Sequence, residues 1–358
     1  MADRSDVLLE RAAREHRRAT AYRRERRLSV AERSCRRALA LYAAAEGRRN
    51  PNVANALFEL GQIHDAAEQL ASAGSCYRRA LAILRAVMPR PPFNPELVRL
   101  RLQTRLLLGT VERNLGHYPA ADRNYRSAYA EIGPRHPDRG ELLNDWGVLR
   151  KSQGRYSEAA ALYRRALRLI GPRGDRKALA TLHHNLGGIA HARGRYAAGE
   201  ADGRRAVMLR EAALGPNHVE VAADVAALAA LVEGAGRLDE AAALYERALS
   251  IFRRRLGPHH SEVGLSLAGL AWVRKEQGDL ATADQLYRQS VAILEPVFGR
   301  DHSDVALTLA NWASVLREAG DERRARRLFE RALRIFEKNL GPRHPHTRAC
   351  RAKVSWRP

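Results

Sequence analysis

Cysteine, methionine, lysine and aromatic residues are all scarce in this sequence, and each shortage narrows what the chain can be. Three cysteines in 358 residues, Cys35, Cys76 and Cys350, with no CxxC spacing, are too few for a disulfide scaffold and fit a reducing cytoplasm. No stretch approaches the ~18 uninterrupted apolar residues of a membrane span. The opening MADRSDVLLERAAREHRR holds no apolar run of the secretory kind, so the expected location is cytoplasmic. Aromatic residues are 6% of the chain, which leaves few rings beside the basic residues to stack on nucleic-acid bases. No GxxxxGK[ST], GxSxG or HExxH occurs, so phosphate-loop, serine-nucleophile and zinc-protease chemistries have no visible carrier. The expectation is a protein that is not an enzyme and uses no cofactor or metal.

What the chain has in abundance is repetition. LGPNHVEVA at Leu214 returns as LGPHHSEVG at Leu256, FGRDHSDVA at Phe298 and LGPRHPHTR at Leu340, each 42 residues after the last. A fixed period of this size marks a repeat architecture. Between phrases, Ala241, Leu244, Tyr245, Ala248, Leu249 and Phe252 share one helical face. Each repeat therefore reads as two helices, with a short turn at a glycine such as Gly236 and a longer link at the phrase. Gly257 suits the residue just past a helix end and Pro258 stops the helix from resuming. Ser261 and Ser303 are expected to cap the helices that follow. The recurring histidines His136, His218, His260, His302 and His344 come once per repeat with no second ligand at fixed offset, so they read as loop structure and not as metal ligands.

The second helices are the most alike. GRYSEAAALYRRAL from Gly154, GRLDEAAALYERAL from Gly236, GDLATADQLYRQSV from Gly278 and GDERRARRLFERAL from Gly320 share a turn glycine, a small residue five on and an aromatic nine on. Small residues are needed where two helices cross closely, and the aromatic fills the space beside them. This pattern resembles the tetratricopeptide repeat, and the 42-residue period with its LGxxHP links resembles the kinesin-light-chain variety. The small sites of the first helices, Ala19, Gly61, Gly109, Gly147, Gly187, Ala229, Ala271 and Ala313, extend the resemblance over nearly the whole chain. It implies an all-α fold: a right-handed α-solenoid of about eight antiparallel helix pairs plus a C-terminal capping helix. The chain reads as one domain, because each repeat packs only on its neighbours. Its repeats fall at about 8–46, 50–88, 97–133, 138–171, 176–214, 218–256, 260–298 and 302–340, with the cap at 345–356.

Some repeats depart from the pattern. The first has Cys35 at the aromatic site, and the fifth has Gly199 at the small site and Gly203 at the aromatic one. Each helical glycine is disfavoured by about 1 kcal/mol against alanine. Neighbours filling the gap is the simpler reading, and a hinge or small pocket the sharper one. The proline-rich MPRPPFNPE lengthens the link after the second repeat and reads as a passive insertion. The charge is strongly positive: 62 basic residues against 40 acidic, net +22, with arginine far ahead of lysine. Such a surface attracts polyanions and steers acidic partners, although pairs such as Arg164-Arg165 and Arg204-Arg205 read as solvated faces.

By the same resemblance the first helices line a concave groove that holds ligands. The register places Asn144, His184, Asn185 and Asn311 in an inward row, where an amide can both donate to and accept from a peptide backbone. One turn further it places Arg113, Lys151, His191, Lys275 and Arg317. Trp272 stands beside alanines of the sixth and seventh repeats as an aromatic anchor flanked by cations. These ten residues are the expected binding groove. The expected function is a non-catalytic adaptor or scaffold for a protein or peptide segment, acidic with an apolar anchor. Nucleic-acid or polyanion binding through the arginine-rich surface is one alternative, and a regulatory sensor acting on a partner in trans is another.

Overall fold

The computed structural model describes residues 4–88, 94–134 and 136–355, and among them every regular element is an α-helix. The chain divides into two compact units, residues 1–169 and 170–358. The first contains α1 (Arg4–Arg24), α2 (Leu28–Glu46), α3 (Pro51–Ala66), α4 (Leu70–Val87), α5 (Pro95–Asn114), α6 (Tyr118–Glu131), α7 (Arg139–Ser152) and α8 (Tyr156–Ile170). The second contains α9 (Arg176–Ala192), α10 (Tyr196–Leu214), α11 (Val219–Gly234), α12 (Leu238–Leu256), α13 (Ser261–Glu276), α14 (Leu280–Phe298), α15 (Ser303–Glu318), α16 (Glu322–Leu340) and α17 (Pro345–Ser355). From α1 to α7 and from α9 to α17, consecutive helices pack on one another in chain order, and Tyr163 of α8 lies against Gly147 of α7. Residues 89–93 of the proline-rich link lie outside the described residues.

The small sites act as the register requires. A Cβ on Gly147 would stand 2.4 Å from Cε1 of Tyr163, and the same holds for Gly61 with Tyr77. Each first helix thus surrenders a side chain so that the tyrosine of its own second helix can lie flat against its backbone. Tyr77, Tyr125 and Tyr163 are fully buried as a result, and Tyr287 is fully buried against the alanine Ala271. The turn between paired helices needs one residue at positive φ. Glycine supplies it at Gly116, Gly154, Gly194, Gly236, Gly278 and Gly320, but Arg26 and Glu68 hold the same place at φ of 61° and 59°. A side chain there is strained by the clash between Cβ and the following carbonyl.

The caps differ from the sequence expectation. Ser261 and Ser303 are the first residues of α13 and α15, not their N-caps. The cap is the histidine before them. Nδ1 of His260 accepts the N–H of Glu262 at 3.2 Å, and His218 and His302 do the same for Glu220 and Asp304. The serine reading followed residue preference alone; the imidazole reaches the donor because its Nδ1 lies three bonds from Cα, the same reach as the side-chain oxygen of an asparagine or aspartate cap. The phrase repeats its histidine because each repeat needs a new helix start.

At the fifth repeat neighbours fill the missing aromatic. A Cβ on Gly203 would meet Leu228 and Leu231 of α11 at 3.1 Å, and one on Gly199 would meet Leu231 at 2.9 Å. With no ring between them, α9 and α10 approach closely, and α11 also reaches α9. At the C-terminal end α17 lies on α16, with Cys350 buried and its thiol directed at the Phe329 carbonyl at 3.4 Å. Cys35 and Cys76 are buried packing residues, and burial pushes the Cys35 thiol up to about 12.

Candidate peptide-binding surface

In the C-terminal unit the surface built by α11, α13 and α15 carries the largest share of the expected groove residues. Ala223, Ala226, Ala227, Ala230 and Ala268 are all half-buried along it. Trp272 is half-buried too, with Lys275 Nζ 5.2 Å from its ring centroid. Trp146 and Trp312 have their indole N–H groups bonded to Asp122 and Asp284, at 2.8 and 2.7 Å. Trp272, two helical positions on from theirs in its repeat, makes no such bond among the described residues. Gly269, next to Ala268, serves packing: a Cβ there would strike the Tyr245 ring at 2.5 Å, so this glycine admits a neighbouring tyrosine.

The charges around Trp272 come in pairs. Lys275 bonds Glu276 at 2.9 Å and Glu318 of α15 at 3.2 Å. Burial works against its ammonium, but the two carboxylates outweigh it and hold the group above its ordinary range. Arg317 lies 5.1 Å from the Phe329 ring centroid, and Lys353 of α17 lies 5.4 Å from the same centroid while donating to Ser314 at 2.9 Å. Burial and then the nearby Arg317 and Lys275 depress Lys353. Lys353 was not foreseen, because it belongs to the capping helix and falls outside the repeat register. Asn311 stands half-buried on α15.

Glu233 of α11 stands in the same row as Lys275. Tyr245 donates to it at 3.2 Å. Burial, reinforced by Glu276, pushes the carboxyl up to about 7 against the opposing tyrosine bond. On α9, His184 and Asn185 are half-buried and His191 is exposed. His184 Nδ1 is 2.8 Å from Asp224, which is 2% exposed and also accepts from Arg210 at 2.9 Å. His184 is thereby fixed into a buried ion network of α9, α10 and α11. His191 rests edge-on against Tyr196 at 5.5 Å.

The N-terminal unit carries its own set: Arg113 on α5 and Asn144 and Lys151 on α7, all half-buried. Asn144 donates to Asp145 at 3.3 Å. Burial, with Glu141 adding repulsion, raises Asp145 to about 6 in spite of Arg113. Burial lowers Lys151. Here too a carboxylate accompanies the cations, as Glu59 does Arg23 at 2.7 Å. Among the described residues no cluster of three metal-ligating side chains occurs, and no helix is long and apolar enough to cross a membrane.

The tetratricopeptide-repeat profile matches residues 10–86, 178–247, 221–295 and 297–356, and a second profile for the same repeat matches 106–175. The chain belongs to the tetratricopeptide-repeat family. Among solved structures, this tetratricopeptide-repeat protein is similar to a kinesin-light-chain protein of Podosopora anserina with nearly identical repeats. That likeness has 20% identity over 57% of this chain and 99% of the other, at a TM-score of 0.48. A tetratricopeptide-repeat protein from Parabacteroides merdae matches at 17% identity, covering 84% of this chain and 97% of the other, with a TM-score of 0.54. A signal-transduction ATPase with a tetratricopeptide-repeat sensor, from Pyrococcus horikoshii, matches at 10% identity over 90% of this chain and 48% of its own, with a TM-score of 0.59. At these identities the likeness is one of fold. No curated protein matches the chain significantly.

Proposed function

We propose that this tetratricopeptide-repeat protein is a non-catalytic adaptor that holds a segment of a partner protein on the α11–α13–α15 surface. Proteins of this repeat type generally mediate protein–protein interaction, and Trp272 carries the more specific reading. It is a large aromatic left half-buried and unbonded at its indole N–H, beside small alanines that leave room for a chain. A partially exposed aromatic in an apolar setting with charged groups at its edge is the usual anchor of a protein interface. Asn311 supplies an amide for a peptide backbone. The partner segment would place an apolar side chain on Trp272 and a carboxylate toward Lys275, Arg317 and Lys353.

The test is capture from cell lysate at physiological salt with nuclease present, using the intact chain and its Trp272→Ala and Asn311→Ala variants. The expected result is a defined protein retained by the intact chain and lost from both variants while helicity is unchanged. Capture that survives both changes would remove this surface from consideration. Capture that vanishes with nuclease would transfer the function to polyanion binding through the net charge of +22.

A further inference from the structure

The third repeat breaks the pattern where it costs most. Arg105 stands four residues before its repeat's small site, Gly109. In five other repeats that position is Leu57, Leu143, Val225, Leu267 or Leu309, each buried to within 1%. Glu131, ten residues after the small site Ala121, stands where the other second helices have Leu41, Ile83, Leu169, Leu209, Ile251, Ile293 and Ile335. Arginine thus stands where five repeats bury an aliphatic side chain, and glutamate where the other second helices have leucine or isoleucine, while the first and fifth repeats are also polar at the arginine position, with Glu15 and His183; local violations of this kind collect at functional sites.

Arg105 borders a depression of about 470 Å³ between α4 and α6 with α5 as its floor, lined also by Arg78, Arg85, Arg123 and Glu112. Its nearby carboxylates are fewer. Glu112 holds Arg78 at 2.6 Å, and Glu131 is shared by Arg101 at 2.5 Å and Arg105 at 3.4 Å. Among the described residues Arg85 and Arg123 form no ion pair. Nε of Arg105 is shielded from water and lacks a hydrogen-bond acceptor of adequate geometry. Burial lowers the Arg105 guanidinium from its ordinary range, with Glu131 opposing and Arg101 and Arg85 adding to the effect. The C-terminal unit has the matching depression between α12 and α14, and there Leu267 replaces Arg105 and Leu286 replaces Asn124. The repeat architecture therefore does not require a charge at Arg105, while Arg253 keeps the place of Arg85.

We propose that the α4–α5–α6 depression is a binding site for a phosphate dianion, separate from the peptide-binding surface. Guanidinium forks match the oxygens of a phosphate in bidentate fashion, and Asn124 and Ser127 on α6 add neutral donors at the rim. A dianion suits the excess of cations here better than a carboxylate, which would leave more of it uncompensated. The phosphate could be free in solution or carried on a phosphorylated side chain, which present the same oxygens.

Calorimetric titration of the full chain in 150 mM salt with inorganic phosphate and with a phosphoserine peptide tests this. The expected result is saturable one-site binding that weakens at least tenfold in Arg85→Ala/Arg123→Ala, whose changes are at the surface. The Arg105→Leu/Glu131→Ile variant introduces the aliphatic residues that most other repeats use, so it should fold normally and also lose binding. Tighter binding of the peptide identifies the phosphorylated side chain as the ligand, and tighter binding of inorganic phosphate identifies the free ion. Binding that is absent, or equal in the intact chain and both variants, overturns the site; so does retention of RNA with no response to either phosphate.

Discussion

Trp312 of α15 donates its indole N–H to Asp284 of α14 at 2.7 Å, and Trp146 of α7 does the same to Asp122 of α6 at 2.8 Å. Both aspartates follow the small site of a second helix, and both tryptophans precede the small site of the next first helix. Each aspartate also meets arginines: Arg150 and Arg126 at Asp122, Arg324 and Arg288 at Asp284. The pair ties one repeat to the next, where a solenoid depends on nearest-neighbour interfaces. A half-buried hydrogen bond to a charged acceptor contributes about 1.5–3 kcal/mol. Asp284→Ala should therefore lower stability by roughly that amount. A Trp312→Phe/Asp284→Ala cycle measured by urea unfolding should return a coupling of about 1 kcal/mol or more; additive effects would show that the bond contributes nothing of its own.

The repeat phrase predicts its own mutations. Because His260 and not Ser261 accepts the free Glu262 N–H in the first turn of α13, His260→Ala should cost about 1 kcal/mol, and His260→Asn should recover most of it. Ser261→Ala should be close to neutral. Thermal unfolding of the three variants decides between the two residues, and a larger loss at Ser261 would restore the serine cap.

Two turns invite the opposite experiment. Arg26 and Glu68 occupy the left-handed position that six other turns give to glycine. Relief of the Cβ clash is worth about 1–2 kcal/mol, less the extra freedom glycine brings to the unfolded chain. Glu68→Gly should therefore raise stability by about 0.5–1 kcal/mol in denaturant melts. The same change made at an ordinary helical position, such as Ala66, should lower it.

Most of the fold was legible because the repeat states it many times. The small site, the aromatic and the turn glycine recur at fixed offsets, so Gly147 and Tyr163 could be paired before their contact was seen. The register also located Trp272 and Lys275. What it could not give was the response of neighbours to a missing side chain. Leu228 and Leu231 closing over Gly203 is a packing outcome between repeats, and it predicts that Gly203→Tyr, though it restores the repeat pattern, destabilises by overpacking, by about 1–3 kcal/mol. Nor could it give the pairing of charges. A row containing Lys275 and Arg317 reads as cationic until Glu276 and Glu318 are seen to close on Lys275. The histidine cap escaped because a preference for serine was applied where a neighbouring imidazole competes.

Glu233 gives the surface a pH dependence whose sign can be worked out. Its carboxyl is raised to about 7 in the folded chain from an ordinary value of 4.5, chiefly by burial. The folded state therefore holds this proton over a range where the unfolded chain has released it. The associated stability is fully present below about pH 4.5 and is lost as pH rises through about 7. Allowing for its partial exposure, the loss is about 1–3 kcal/mol. Glu233→Gln keeps an acceptor for Tyr245 and cannot ionise, so it should melt higher than the intact chain at pH 8 and equally at pH 4.5. The same titration places a negative charge in the row of Lys275 as pH rises, so capture of an acidic segment should weaken between pH 6 and pH 8 in the intact chain and stay level in the variant. If the two proteins melt in parallel across that range, Glu233 is ionised throughout, and the burial of its carboxyl does not govern its proton.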